Sequence, residues 1–444
     1  MADGSRRTYA LAVLFAINAV NFFDRQILGA LGEPIRREWR LSDAELGALG
    51  TAFTLLYAFA GVPLGRLSDR ASRTRILSAG VFAWSLLTGL SGLARSFWQL
   101  FALRLGVGVG EATCAPAATS LIGDLFPAER RARALSVFMM GLPVGIAASY
   151  AVSSSVAQAW GWRFAFYLAA LPGLVCAAAV LLVADPRRSG TGLPDSGTRG
   201  TQDLSPYRVV LSIPTLWWVI LSGAIHNFTL YAISSFLSPY LMRVHGTSLR
   251  GAGLVSMMVY GVGGGLGLLL GGIAADAAVR RRADGRMLVA AGAILGSVPL
   301  LFLALARPRG DTLGFGLLAG VSIVLMYVYY PAVYAGIQDV VEPARRGTAM
   351  AVYFMAMYVL GASLGPLGTG LLSDRFTARA ARAAGVLEMS PQALEPFRAA
   401  GLHAAMAALP VLGVLLMLVL LAASRTVARD RERLEAQARA SARS

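Results

Sequence analysis

Asp124-Leu-Phe-Pro-Ala-Glu-Arg-Arg-Ala-Arg-Ala134 and Asp339-Val-Val-Glu-Pro-Ala-Arg-Arg-Gly-Thr-Ala349 align without a gap, 215 residues apart. A second pair, Gly65-Arg-Leu-Ser-Asp69 and Gly272-Ile-Ala-Ala-Asp276, is offset by 207 residues. Two charged segments that recur at nearly one spacing mark a duplicated architecture. Each copy is flanked by apolar runs, and about 20 apolar residues suffice for a helix to cross a bilayer.

Working outward from those segments, the 444-residue chain divides into twelve such runs. They cover roughly 8–32, 44–66, 76–95, 97–124, 132–158, 163–184, 213–242, 250–276, 287–306, 311–338, 346–373 and 400–423. Composition agrees: 56% of residues are hydrophobic and 14% charged, against about 25% charged in soluble proteins. Mean hydropathy is +0.61. The expected fold is an all-α membrane protein with twelve transmembrane helices in two pseudo-symmetric six-helix bundles. Residues 1–184 form the first bundle, 185–207 a linker, 208–424 the second bundle and 425–444 a tail. The linker is rich in Gly, Ser, Thr and Pro and lacks apolar periodicity, which marks a flexible connection. The tail is charged and alanine-rich, and reads as a short surface helix or a frayed end.

All 40 basic residues are arginine, and the net charge is +16. The termini and even-numbered loops carry 25 arginines and the odd-numbered loops 13, so the positive-inside rule places both termini in the cytoplasm of a cell with its inner membrane as host. That pattern also argues against nucleic acid as a partner, since the charge lies between apolar spans. Arg6 and Arg7 followed by an apolar run could suggest a signal peptide, but the run from Tyr9 to about Leu31 is too long for one and reads as the first span. Cys114 and Cys176 fall within spans and give no disulfide framework. His226, His245 and His403 are scattered without metal-ligand spacing. No nucleophile, base or metal constellation for an enzyme is present. The glycine-rich stretches Gly106–Gly110 and Gly261–Gly267 lie inside apolar runs, so they read as close helix packing rather than nucleotide loops.

The loop after span two, Gly61-Val-Pro-Leu-Gly65-Arg-Leu-Ser-Asp69-Arg70-Ala-Ser-Arg73-Thr-Arg75, resembles the major facilitator signature G-x-x-x-D-R-x-x-R-[RK]. It departs from that pattern at Thr74, with Arg75 following. Asn21-Phe-Phe-Asp24-Arg25, Gly108-Val-Gly-Glu111-Ala112, Ile122-Gly-Asp-Leu-Phe-Pro127 and Leu142-Pro-Val-Gly145 resemble the spinster-like branch, mainly in the first half. The resemblance implies alternating access without ATP and a small amphipathic substrate of lysophospholipid or sphingoid type. It also suggests proton coupling. No cofactor is expected; a proton gradient is the expected energy source, and a monomer the expected unit. A drug or organic-anion transporter on the same fold is the alternative, and an uncoupled scramblase or receptor stands further off.

Four charges fall inside spans: Asp24, Arg25, Arg104 and Glu111. A charge at mid-bilayer costs about 2.5–3.5 kcal/mol on insertion scales, so each needs a partner, water or a function. At about 1.5 Å rise per residue, Asp24 and Arg104 share a level. Arg104 and Glu111 are about 10.5 Å apart in height, too far for direct pairing, which leaves Arg25 as a partner for Glu111. Asn18, Asn21 and Arg25 make one polar stripe. These residues are the candidates for proton coupling and substrate binding, Asp24 ahead of Glu111; a static ion pair is the competing explanation. His226 is the titratable group of the second half that sits inside a span, and a packed polar residue is the plainer reading of it.

Gly65, Asp69, Arg70, Arg73 and Asp276 are the candidate cytoplasmic gate. In major facilitators the carboxylate after span two faces the start of span eleven, here preceded by Arg345 and Arg346. The mirror contact sets Asp276 beside Arg131 and Arg133 near the start of span five. Phe228, Tyr231, Tyr327, Tyr330, Tyr334, Tyr353, Phe354, Met355, Met357 and Tyr358, with Asn18, Asn21 and His226, are candidate cavity walls suited to an amphipathic ligand, with ordinary helix packing as the alternative.

Overall fold

The computed structural model describes residues 3–70, 72–185 and 205–441; most of the expected linker lies outside them. Among the described residues the structure is helical, with no strand. The helices are α1 (Asp3–Trp39), α2 (Asp43–Arg70), α3 (Arg73–Ser91), α4 (Phe97–Leu125), α5 (Arg133–Trp160), α6 (Trp162–Leu182), α7 (Pro214–Val244), α8 (Leu249–Val279), α9 (Gly285–Leu305), α10 (Thr312–Val340), α11 (Arg346–Ala383) and α12 (Arg398–Ser441). Eleven helical segments are long and apolar enough to cross a membrane. The expected third span is the exception. Helix α3 begins with Arg73 and Arg75 and carries Ser78, Ser85, Thr88 and Ser91, so it falls short in apolarity although it packs between α4 and α6 as a full member of the bundle. The expected tail is no separate element: α12 runs unbroken to Ser441, and Asp430 on it caps α7 by accepting from the Thr215 N–H at 3.0 Å.

The face bearing both termini is called terminal here, and the opposite one distal. Helix starts on the distal face are written in the sequence. Ser42 and Glu45 form a reciprocal capping box on α2, with bonds of 3.1 and 2.8 Å. Ser248 caps α8 and Asp311 caps α10 by accepting from the N–H three residues on. Large apolar side chains such as Phe82, Val175, Leu269, Ile273, Leu317 and Val411 point outward, as a bilayer-facing surface requires.

One apolar core unites the two bundles: Ile27, Leu31 and Ile35 of α1 belong to the same cluster as Leu230, Phe236 and Leu237 of α7. A second core, around Leu14, Leu77, Trp84 and Leu121, stays within the first bundle. The two bundles meet in that core at the distal ends of α1 and α7. There α2 and α11 approach closely, because Gly47 faces the Pro366 backbone and Gly370 faces the Asp43 carbonyl, where a Cβ would collide.

Candidate functional site

Helix α1 presents Asp24, Arg25 and Gln26 at mid-membrane. Arg25 Nε donates to Glu111 Oε2 at 3.0 Å, and Glu111 is fully buried. The guanidinium lies 4.0 Å from the Tyr57 ring centroid, 4.9 Å from Phe22 and 5.6 Å from Phe53, which gives the cation an aromatic cradle. Arg104 lies over Phe53 at 5.2 Å and donates from Nη2 to the main-chain oxygen of Asp24 at 3.1 Å. Its contact with Asp24 therefore runs through the peptide, while the Asp24 carboxylate accepts from Thr88 at 3.2 Å. Asp24 Oδ1, Glu111 Oε1 and Arg104 Nε and Nη1 are buried without a hydrogen-bond partner. A buried polar group left unsatisfied is costly.

A cavity of about 590 Å³ opens between the bundles, and Arg25 is the one charged side chain among its lining residues. Phe22, Met139, Leu142 and Ile146 line it from the first half; Tyr231, Tyr260, Tyr327, Tyr330, Tyr334, Met357 and Tyr358 line it from the second. It is a cation on one wall and an aromatic sheet on the other. A small recess extends past Arg25 to Phe53 and Arg104.

The candidate wall residues divide. Tyr231, Tyr330 and Met357 line the cavity. Asn18 does not; it donates to the Phe138 carbonyl at 2.8 Å. Asn21 is buried outside the lining. His226 is sealed behind the wall, stacked on Tyr329 at 4.0 Å, with neither ring nitrogen hydrogen-bonded. Tyr353 sits behind it as well, 3.2 Å from the Tyr329 hydroxyl, and Phe228 packs on Gly365 and Gly368 of α11. A further residue was not singled out from sequence: Gln26 donates to the Tyr150 hydroxyl at 2.7 Å and to Ser234 across the bundles. A lone glutamine beside a charged pair carries little signal of its own.

The gate residues lie as follows. Gly65 belongs to α2, and the side chains of Asp69 and Arg70 fall outside the described residues. Arg73 is buried and ties the first bundle to itself, donating to Asp124 at 2.6 Å and to Asp185 at 2.8 Å. Asp276 does not meet Arg131 or Arg133. It pairs with Arg286 at 3.2 Å, and Arg286 also holds Asp339, all within the second half. The physical reason is conformation: among the described residues, the ion pairs that join the halves sit at the distal face.

That distal network was not read from the sequence. Arg243 of α7 holds Glu33 of α1 at 2.7 Å and both oxygens of Asp43 of α2 at 2.9 and 3.0 Å. Arg36 grips Glu395 before α12 with bonds of 2.6 and 3.0 Å. Asp374 of α11 accepts from the N–H groups of Asp43 and Ala44 at 3.0 and 2.8 Å, placing a carboxylate on the N-terminus of α2. The cavity is thus shut at the distal face.

Comparison with known proteins agrees with this geometry. Residues 14–366 match the Major Facilitator Superfamily. The chain is 32% identical to an MFS-type efflux pump of Mycolicibacterium smegmatis, covering 84% of this chain and 86% of that protein. It is 31% identical to protein spinster homolog 1 of Mus musculus, covering 83% and 73%. A solved bacterial homolog of the human lysosomal transporter Spinster, inward-facing and unoccupied, superposes with a TM-score of 0.83 and 29% identity over 96% of this chain and 98% of that one.

Proposed function

The chain belongs to the major facilitator superfamily and to its spinster-like branch, and from that premise we propose that the Arg25 cavity carries an amphipathic molecule with an anionic head, driven by protons. It is an integral membrane transporter and not an enzyme. The observation that carries the substrate reading is that Arg25 alone charges the cavity wall, opposite an aromatic surface suited to an apolar tail. A head group that takes Arg25 leaves Glu111 buried without its partner, and an isolated buried carboxylate takes a proton rather than stay charged. Substrate and proton then load together, which is symport. Glu111 displaces Asp24 as the preferred coupling group, because its partner touches the cavity. The arginine distribution supports reading the terminal face as the cytoplasmic one and the inner membrane as the host, so that the cavity faces the cytoplasm.

The test uses purified protein in liposomes with an imposed pH gradient. Flux of an anionic lysophospholipid should follow the gradient and exceed that of a cationic amphiphile. Glu111→Gln should keep counterflow and lose gradient-driven accumulation. Wild-type pH dependence in that variant rules out Glu111 as the coupling group. A drug or organic-anion substrate is the second reading, supported by the mycobacterial efflux relative. Competition by compact organic anions without an apolar tail would favour it.

A further inference from the structure

We propose that the distal face carries a second binding site, for a tetrahedral oxoanion, which clamps the two bundles together. A cavity of about 190 Å³ lies between the end of α1 and the start of α12. Arg36, Arg37, Arg40 and Arg398 line it, with Glu395 as the one carboxylate and Gln392 as a neutral neighbour. Counting the carboxylates behind the lining, Glu33 pairs with Arg36 and Arg37, Asp374 with Arg398 and Glu395 with Arg36 and Arg398, so four guanidiniums face three carboxylates and Arg40 carries the excess positive charge. It is too small for the amphipathic cargo, whose cavity is about 590 Å³, and of a size for a phosphate or sulfate group.

Two of the arginines are built into the fold. Arg36 is 1% exposed and Arg398 4%. Arg36 is committed to Glu33 and Glu395. Arg398 is not saturated: Nη1 reaches Asp374 at 3.4 Å, and Nε, though 3.2 Å from Glu395, makes no hydrogen bond. The Arg398 Nε–H therefore lies beside a carboxylate in poor hydrogen-bond geometry, and a better-placed oxoanion oxygen would satisfy it. Arg40 supplies a separate observation. It follows α1 with a φ of 55°, the one positive φ among the described non-glycine residues, and the next residue's N–H closes back on the Arg36 carbonyl at 3.0 Å. Glycine is the ordinary residue at such a helix end. Here an arginine occupies it, exposed and without an ion pair among the described residues, on the face where the arginine distribution disfavours basic residues.

The guanidinium fork suits an oxoanion bidentately. Arg37 and Arg40 belong to the first bundle and Arg398 to the second, so a bound oxoanion adds ties across the same seam that Arg36 and Glu395 already close. Occupancy from the distal side should therefore hold the distal gate shut. The oxoanion could be free inorganic phosphate or the phosphate of an anionic lipid in the distal leaflet; both present the same chemistry.

The experiment titrates purified full-length protein, spin-labelled at the distal ends of α2 and α11, with potassium phosphate against potassium chloride at equal ionic strength. Phosphate should raise the melting temperature and enrich the short-distance population; chloride should do neither. Arg40→Gly removes the guanidinium and suits the backbone, and should weaken the apparent affinity for phosphate at least tenfold. Gln392→Glu, which adds a carboxylate to the pocket, should abolish the response. Nanodiscs with and without phosphatidylglycerol separate the sources: a short-distance population that rises with the lipid in wild type and not in Gln392→Glu assigns the headgroup, and one that needs added phosphate assigns the free ion. An equal phosphate response in wild type and both variants overturns the site. So does no response to phosphate or to phosphatidylglycerol.

Discussion

Arg25 holds two positions at once, as a wall of the cavity and as the partner of Glu111. That pairing was legible: the seven-residue spacing from Arg104 left Glu111 without a neighbour on its own helix, and Arg25 was the remaining buried cation. The burial of His226 and Tyr353 behind the wall was not legible, because periodicity shows that a helix has faces without showing which neighbour each face meets. The pairing has an energetic consequence. Removing one partner of a buried ion pair costs about 3–5 kcal/mol, because the other charge is stranded, whereas removing both costs less. Arg25→Ala should therefore lower thermal stability in detergent more than Arg25→Ala combined with Glu111→Ala. If the double variant is destabilised by the sum of the two single variants, the groups are not coupled.

Helices were the easiest elements to read, because length and apolarity decide them, yet their interruptions left no trace in the pattern. Helices α5, α8 and α11 each contain a π-helical turn, at Ser149–Ser153, Met257–Val262 and Met357–Ala362. Such i→i+5 turns interrupt the helix locally, and the surrounding residues keep ordinary apolar periodicity. The capping of α2 by Asp374 was equally hidden, since its partners are 330 and 331 residues apart. Its loss is predictable. Asp374→Asn keeps an oxygen near the N–H groups but removes the charge, weakening a cap worth about 0.5–2 kcal/mol. The protein should still fold, because α2 keeps its own Ser42–Glu45 box. The change should appear at the α2–α11 seam, as a longer distance between spin labels at the distal ends. Unchanged distances would show that the carboxylate adds nothing to closure.

At the scale of the whole molecule, two bundles share a core on one side of the cavity and part on the other, so any tie across the seam biases an equilibrium between two openings. The duplication and the six-plus-six plan were legible in repeated loops, but the captured state was not, because a sequence encodes the ties of both states together. Arg243 is the central distal tie, holding Glu33 and Asp43 of the first bundle from the second. Arg243→Gln removes both charge pairs and should populate the form open at the distal face. We propose that Asp69 latches the opposite face in the other state, and on that proposal Asp69→Asn should shift the protein toward the form seen here. A ligand-free two-state equilibrium moves by the difference a change makes between the states, and distant changes add. The double variant should therefore return toward the wild-type population, read from paired spin-label distances at the distal and terminal faces. Distal and terminal distances should also move in opposite senses in each single variant. If both faces widen together in Arg243→Gln, the bundles are separating rather than rocking, and the distal network is a structural clasp instead of one side of a gate.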